Sequence, residues 1–522
     1  MSASQRIAFA VAISWLSRAV TILANLFLFP IMFRYMGKEE LGLWFLLGNS
    51  QAFLGLLDLG IAPTLTRHIA FAKGKSGVDL TVQLSGESKE HIGDLVVTGR
   101  IILQCLAVAI FFIAWASGYG LINQLELKEV SPQTVFWAWT LMCVGYAVGV
   151  WVSYLNCWLV GIGYVGWDGL IYTALSLLTI LINIGAVFLG GGLVALAAIS
   201  VVSGLVQRFV ILGAIRWRKP ELFAIQGKWN FQYARALVKP SLHCWLTSLG
   251  GFLILRTDTY FIATLKGTGD IPNYQAGYQL VSNLYQLAFT WVGASAVFIS
   301  QAWQSSDLNT IHKITLRNAK IALAIMAGGV AFLLSAGKEL IDLWLGQGHF
   351  IGYGILLVFC IMLTLETHHV VLMQSSRATE DENYALVTLT AGILNVIFTL
   401  VLIKHLGLLG VAIGTMLAQV LTTNWYAVYK PIIRLKINFY TYLRQVIGLW
   451  LVILVTCSML SWLTKQGLVF SGNTYKWSIV GGSATSCGVV FLIMFWFFIL
   501  EKEQRLFIQR KATELIKSKA LN

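Results

Sequence analysis

The chain has 522 residues, 57% of them hydrophobic and only 11% charged, against about 25% charged in an average soluble domain. A water-soluble fold of this composition would expose large apolar patches, so a globular soluble enzyme is excluded and a multi-span membrane protein is expected. The formal net charge of +14 would suit a nucleic-acid binder, but the placement of the basic residues gives it another origin.

Crossing about 30 Å of hydrocarbon at 1.5 Å per residue takes roughly 20 apolar residues. Fourteen segments qualify in chain order: 9–33, 41–64, 94–118, 132–160, 167–189, 192–215, 241–265, 272–302, 317–337, 350–374, 384–403, 407–429, 443–463 and 477–500. Each is expected to be helical, because lipid offers backbone groups no partner. The first follows a single basic residue, Arg6, and is too long for a signal-peptide core, so it reads as a retained span. Pro30 is expected to kink its far end.

An even number of spans puts both termini on one side. That side carries 26 of the 37 Lys and Arg residues, counting Arg100, Arg317, Lys320 and Arg444 just inside the span ends; the opposite loops carry 8, and Arg18, Arg208 and Arg256 lie deeper within spans. The excess predicts cytoplasmic termini and accounts for the net charge without nucleic acid. The loops on the other side are short, the longest being the 13 residues 119–131, "YGLINQLELKEVS". They leave no room for a catalytic domain. The basic connector 216–240 is expected to lie against anionic headgroups, and the tail 501–522 to form an interfacial amphipathic helix.

Seven cysteines fall inside apolar runs with no C-x-x-C pair, so they read as small hydrophobes, and neither a metal nor a cofactor is expected. "GKS" at 74–76 ends like a phosphate-binding loop, but Ile69 stands where the upstream glycine belongs, which excludes an ATPase.

The chain repeats itself. Trp15 to Gly37 and Trp245 to Gly267 share a spacing of 22, and Glu40-Leu41 matches Asp270-Ile271. "LINIGAVFLGGGLVALAAIS" (181–200) matches "ILNVIFTLVLIKHLGLLGVAIGT" (393–415), with Asn183 over Asn395, Gly192 over Gly407 and three residues more in the second turn. The expected architecture is all-α: two pseudo-symmetric six-helix lobes, 1–225 and 226–432, then two extra C-terminal helices within 433–500 and a basic tail, 501–522. Repeated lobes of this kind suit alternating access.

Residues 35–70, "YMGKEELGLWFLLGNSQAFLGLLDLGIAPTLTRHIA", carry Gly37, Gly42, Trp44, Asp58, Gly60 and Arg67. The pattern resembles the opening of polysaccharide transporters, the O-antigen (Wzx-type) branch of the multidrug/oligosaccharidyl-lipid/polysaccharide flippase superfamily. "FLILRTDTYFIATLKG" (252–267) resembles the seventh span of that family, with Asp258 and Gly267 followed by Tyr274 and Ala276 or Gly277. The resemblance covers spans 1–12. It implies a fold like that of the multidrug exporters of the superfamily and a flippase, not an enzyme. Such a flippase moves an undecaprenyl-diphosphate-linked oligosaccharide across a bacterial inner membrane, beside the polymerase and chain-length machinery of its pathway. Fourteen spans depart from the twelve of many O-antigen flippases and keep a lipid II flippase open. An ion-coupled multidrug antiporter would use the same fold.

Charges within hydrocarbon are costly and mark candidate sites. Arg256 offers a planar fork of donors for a diphosphate, or else pairs with a carboxylate on a neighbouring helix. Arg18 and Asn25, seven apart on one helix face, are further diphosphate or cavity candidates, with snorkelling to the headgroups the alternative for Arg18. Asp258 reads as interhelical pairing or helix capping, or as an ion-coupling group. Asp58, with Arg67 nine residues on, reads as a structural element beside a gate or as an ion-coupling group. Glu366, His368 and His369 in "LETHHVV" form either a proton-coupling site or an internally bonded polar cluster. Sugar selectivity is assigned collectively to Tyr260, Asn273, Tyr274, Tyr278, Asn283 and Tyr285.

Overall fold

Helix is the only regular secondary structure among the described residues of the computed structural model. These are 26–74, 86–162, 165–218, 227–304, 307–379, 381, 383–472 and 474–499, with the separate positions 16, 20, 22–24, 505 and 509. Arg18, Asn25 and nearly all of the tail lie outside them.

In chain order the helices are α1 (Ile22–Tyr35), α2 (Lys38–Leu56), α3 (Ile61–Gly74), α4 (Gly86–Ile122), α5 (Pro132–Trp151), α6 (Ser153–Gly161), α7 (Val165–Phe188) and α8 (Leu193–Arg218). They continue as α9 (Phe231–Leu255), α10 (Asp258–Leu265), α11 (Ile271–Gln304), α12 (Leu308–Trp344), α13 (Tyr353–Arg377), α14 (Ala385–Leu406), α15 (Leu408–Leu421) and α16 (Thr423–Arg434). The last three are α17 (Phe439–Tyr442), α18 (Gly448–Phe470) and α19 (Lys476–Met494). Their starts are set by short polar side chains: Ser131, Asn230 and Asp307 each accept an amide N–H of the first turn of α5, α9 and α12.

Ten helical stretches among the described residues are long and apolar enough to cross a membrane, or eleven if α2 and α3, bent by 51°, form one span. The chain is thus a multi-pass membrane protein, with a smaller count than the fourteen expected. The first expected span is described only in part. The seventh is broken into α9 and α10 at Arg256 and Thr257. The eighth, α11, is continuous, but Asn273, Gln275, Gln279, Asn283 and Gln286 dilute its apolar character. The second half of the expected interfacial connector, from Phe231, is the first part of α9.

The chain divides into two compact units. The first comprises Met1–Gln275 and Asn383–Thr422. One apolar cluster there gathers Leu65, Ile69, Ile92, Leu103 and Trp158; another joins Leu28, Met32 and Leu41 to Val187 and Leu196. The helix pairs α7–α8 and α14–α15, matched in sequence, both turn at glycines with positive φ, Gly190 (+76°) and Gly407 (+58°), which a side chain would strain. The second unit comprises Ala276–Glu382 and Thr423–Asn522. Its α12 packs Ala324, Ala327 and Ala331 against Ile453, Cys457 and Cys487 of α18 and α19. Ion pairs reinforce that seam: Lys465 Nζ lies 2.8 Å from Glu339 and Lys476 Nζ 2.9 Å from Asp342.

Candidate functional site

The seventh expected span is discontinuous. Helix α9 ends at Arg256 (φ −128°, ψ −12°), and α10 restarts at Asp258. A break in mid-span frees carbonyls that lipid cannot satisfy. Asn395 of α14 supplies the donors: its Nδ2 lies 2.7 Å from the Leu253 carbonyl oxygen and 3.3 Å from that of Ile254. Thr257 Oγ1 adds a bond back to Leu253 at 2.8 Å.

Arg256 is exposed, and its Nη1 donates to Asn49 Oδ1 of α2 at 3.1 Å. Asn49 Nδ2 donates in turn to Thr259 Oγ1 at 3.0 Å, and Tyr260 OH donates to Ser50 Oγ at 2.7 Å. Asn49 therefore orients the guanidinium, and together with Ser50 it ties α2 to the far side of the break. Sequence reading passed over them, although an adjacent amide and hydroxyl in an apolar span was a visible signal. Asp258 makes no bond to Arg256. Its Oδ2 accepts from Tyr274 OH at 2.7 Å and its Oδ1 from Thr415 Oγ1 at 3.1 Å. Both partners are neutral hydroxyls, so hydrogen bonding and not a countercharge holds this carboxyl.

One cavity of the first unit borders these groups, and another lies at the α2–α3 bend. The first, of about 280 Å³, is apolar and bordered by Leu46, Trp139, Phe252 and Phe261, with Ser50, Ser117, Thr257 and Tyr260 as its polar side chains. The other, of about 320 Å³, is polar and lined by Asp58, Tyr146, Ser153, Ser200 and Arg208. Asp58 stands at the α2–α3 bend, where its Oδ1 accepts the Gly60 N–H at 2.8 Å. Gly60 has φ +71°, and a Cβ there would lie 2.6 Å from the Ser241 carbonyl oxygen, so the Asp-Leu-Gly motif is a turn that only glycine closes without strain. Arg67, nine residues on, is exposed and does not line this cavity. Arg208, which sequence reading placed inside a span without a role, does.

In the second unit, α13 brings together Glu366, His368 and His369. His369 Nδ1 pairs with Asn424 Oδ1 at 2.7 Å and its Nε2 lies 3.7 Å from Glu366, while His368 pairs with Tyr442 OH. A second buried carboxylate, Asp381, meets Lys430 at 2.8 Å and Arg434 at 4.0 Å; its place in a polar loop gave no sign of burial. No group of three or more His, Cys, Asp or Glu side chains among the described residues could hold a metal ion.

Against known proteins, the profile of the family described as "Polysaccharide biosynthesis protein" matches residues 10–303. The probable low-salt glycan biosynthesis flippase Agl15 of Haloferax volcanii is 20% identical over 272 residues, 51% of this chain and 53% of that protein. The chain thus spans about half the length of the curated relative it matches. Among solved structures, the lipid II flippase MurJ in an inward closed conformation superposes with a TM-score of 0.68 at 13% identity, covering 94% of this chain and 98% of that one. An inward-facing multidrug resistance MATE transporter of the MOP superfamily gives 0.65 at 16%, covering 81% and 99%. At such identities the likeness is one of fold: a membrane transporter fold of the MurJ and MATE type. The sequence match, which extends over more than half of the chain, goes further, and by it the protein belongs to the polysaccharide biosynthesis protein family.

Proposed function

We propose that this protein is a flippase. It carries an undecaprenyl-diphosphate-linked oligosaccharide, the repeat unit of an O-antigen or exopolysaccharide, from the inner to the outer leaflet of a bacterial cytoplasmic membrane. The lobes 1–225 and 226–432 alternate in access, both termini lie in the cytoplasm, and the pathway's polymerase takes the product. The observation that supports this most is the seventh helix, broken in mid-membrane beside an exposed arginine that Asn49 orients. Discontinuous helices are where membrane transporters build substrate sites, and a guanidinium held by one nitrogen keeps a fork of donors for phosphate oxygens. The glycan flippase Agl15 supports the same reading. In this proposal Arg256 binds the diphosphate, with Arg18 and Asn25 as further candidates. Ion coupling falls to Asp258, whose carboxyl meets only hydroxyls, or to the Glu366–His369 pair.

A lipid II type precursor is the second reading, favoured by the extent of the MurJ superposition, 94% of the chain against 81% for the MATE transporter. A deletion strain tests both. The first reading expects an undecaprenyl-linked oligosaccharide to accumulate on the cytoplasmic face and surface glycan to vanish; the second expects accumulation of the peptidoglycan precursor. Wild-type protein restores export and Arg256→Ala does not. Normal surface glycan with altered dye resistance would overturn both in favour of drug export.

A further inference from the structure

The polar cavity at the α2–α3 bend has no part in holding the break of the seventh helix. We propose that it is a binding site for one neutral sugar unit, an inference that rests on reading the protein as a carrier of lipid-linked glycan. Its volume of about 320 Å³ is at the lower end of the range for small-ligand pockets, roughly 300–1,000 Å³. That admits one ring and not an oligosaccharide.

The space is kept open at a cost. Gly149 and Gly204 line it from within α5 and α8. A Cβ on Gly204 would meet nothing within 4 Å, and one on Gly149 would come no closer than 3.8 Å to Arg208 Nη2. Alanine would fit at both positions and would favour the helices by about 1 kcal/mol each. Packing therefore does not demand these glycines, and the side chains they lack leave the space free for an occupant.

The lining specifies that occupant. Asp58 uses Oδ1 on the Gly60 amide, and its Oδ2 meets no hydrogen-bond donor among the described residues. Arg208 borders the same space, and Tyr146 is within electrostatic reach of both charges. An anion entering here meets a carboxylate, and a cation meets a guanidinium. Either is unfavourable where water is scarce. A neutral polyhydroxyl ligand satisfies both: it donates to Asp58 Oδ2 and accepts from Arg208, and the Ser153 and Ser200 hydroxyls, which donate to the Val150 and Leu196 carbonyls, accept further bonds from it. The inference thus separates the recognition of sugar from that of the diphosphate.

The test uses the full chain in lipid nanodiscs, with free glucose, galactose and N-acetylglucosamine as probes in saturation-transfer NMR, and inorganic pyrophosphate and sodium chloride as competitors. At least one sugar is expected to bind saturably without competition from either salt. Asp58→Asn, which keeps an acceptor for the Gly60 amide, is expected to weaken binding roughly tenfold or more, the scale of one charge-assisted hydrogen bond. Gly204→Leu, or Gly149→Val should the first not fold, is expected to abolish binding while the protein unfolds at the wild-type temperature. No sugar signal in the wild type, unchanged binding in a folded cavity-filled variant, or displacement by pyrophosphate would each overturn the site. Sugar binding retained in a protein that moves no lipid-linked glycan would instead count against the flippase reading.

Discussion

Asn395 shows how one side chain can make an irregular backbone tolerable inside a membrane. It is fully buried, and its single amide nitrogen serves the two carbonyls left open where α9 stops. Asn395→Leu keeps the volume and removes the donor, stranding carbonyls in an apolar setting. The expected cost is about 1–3 kcal/mol, read as a lower unfolding temperature in detergent, with Asn395→Asp also destabilising because it brings oxygens toward oxygens. At this scale the sequence was half legible. Arg256 and Asp258 stood out because charge is rare in a span, and Asn395 emerged from its match to Asn183. Their partners did not, because Asn49 lies 207 positions from Arg256 and only the folded chain brings them together. The helix period applied across 241–265 presumed a continuous helix, whereas the chain leaves the helix at Arg256.

Among the elements, the motif glycines of α2 and the bend were visible as a pattern before they had a reason. A Cβ on Gly42 would sit 1.8 Å from the carbonyl oxygen of Thr268, so α2 presses directly onto the turn that follows α10. Of the neighbours of Gly42, Glu40 stood out in the sequence only through the repeat, and Glu39 not at all. Glu39 accepts the amides of Lys128, Glu129 and Val130, and Glu40 that of Leu193, which is why the 123–131 loop and the start of α8 are held to the same helix end. The seam of α12 with α18 and α19 has a direct test in its charges. Glu339→Lys or Lys465→Glu alone should cost about 1–2 kcal/mol, between the exposed and the buried limits for an ion pair. The double exchange should recover most of it in a thermal melt. An additive loss would show that the pair contributes nothing.

For the molecule as a whole, composition and hydropathy were enough to give an all-helical membrane protein, and the motif of residues 35–70 gave its family. The number of spans was less legible. Counting apolar windows treats α9–α10 and α11 as ordinary spans, although a break in the one and a row of amide side chains in the other set them apart. The lopsided distribution of lysine and arginine makes a topological prediction. Alkaline phosphatase fused at the 123–131 loop should be active, and green fluorescent protein at the C-terminus should fluoresce. Reversed signals would invert the orientation and, with it, the direction of export.

The bonds that Lys465 and Lys476 make to α12 also bear on how such chains can lengthen or shorten in evolution. Losing the last two helices from this protein would strip Glu339 and Asp342 of the lysines that pair with them. Viable kin that end near residue 435 should therefore carry uncharged side chains at both places, a signature that tells an ancestrally short member from a truncated one.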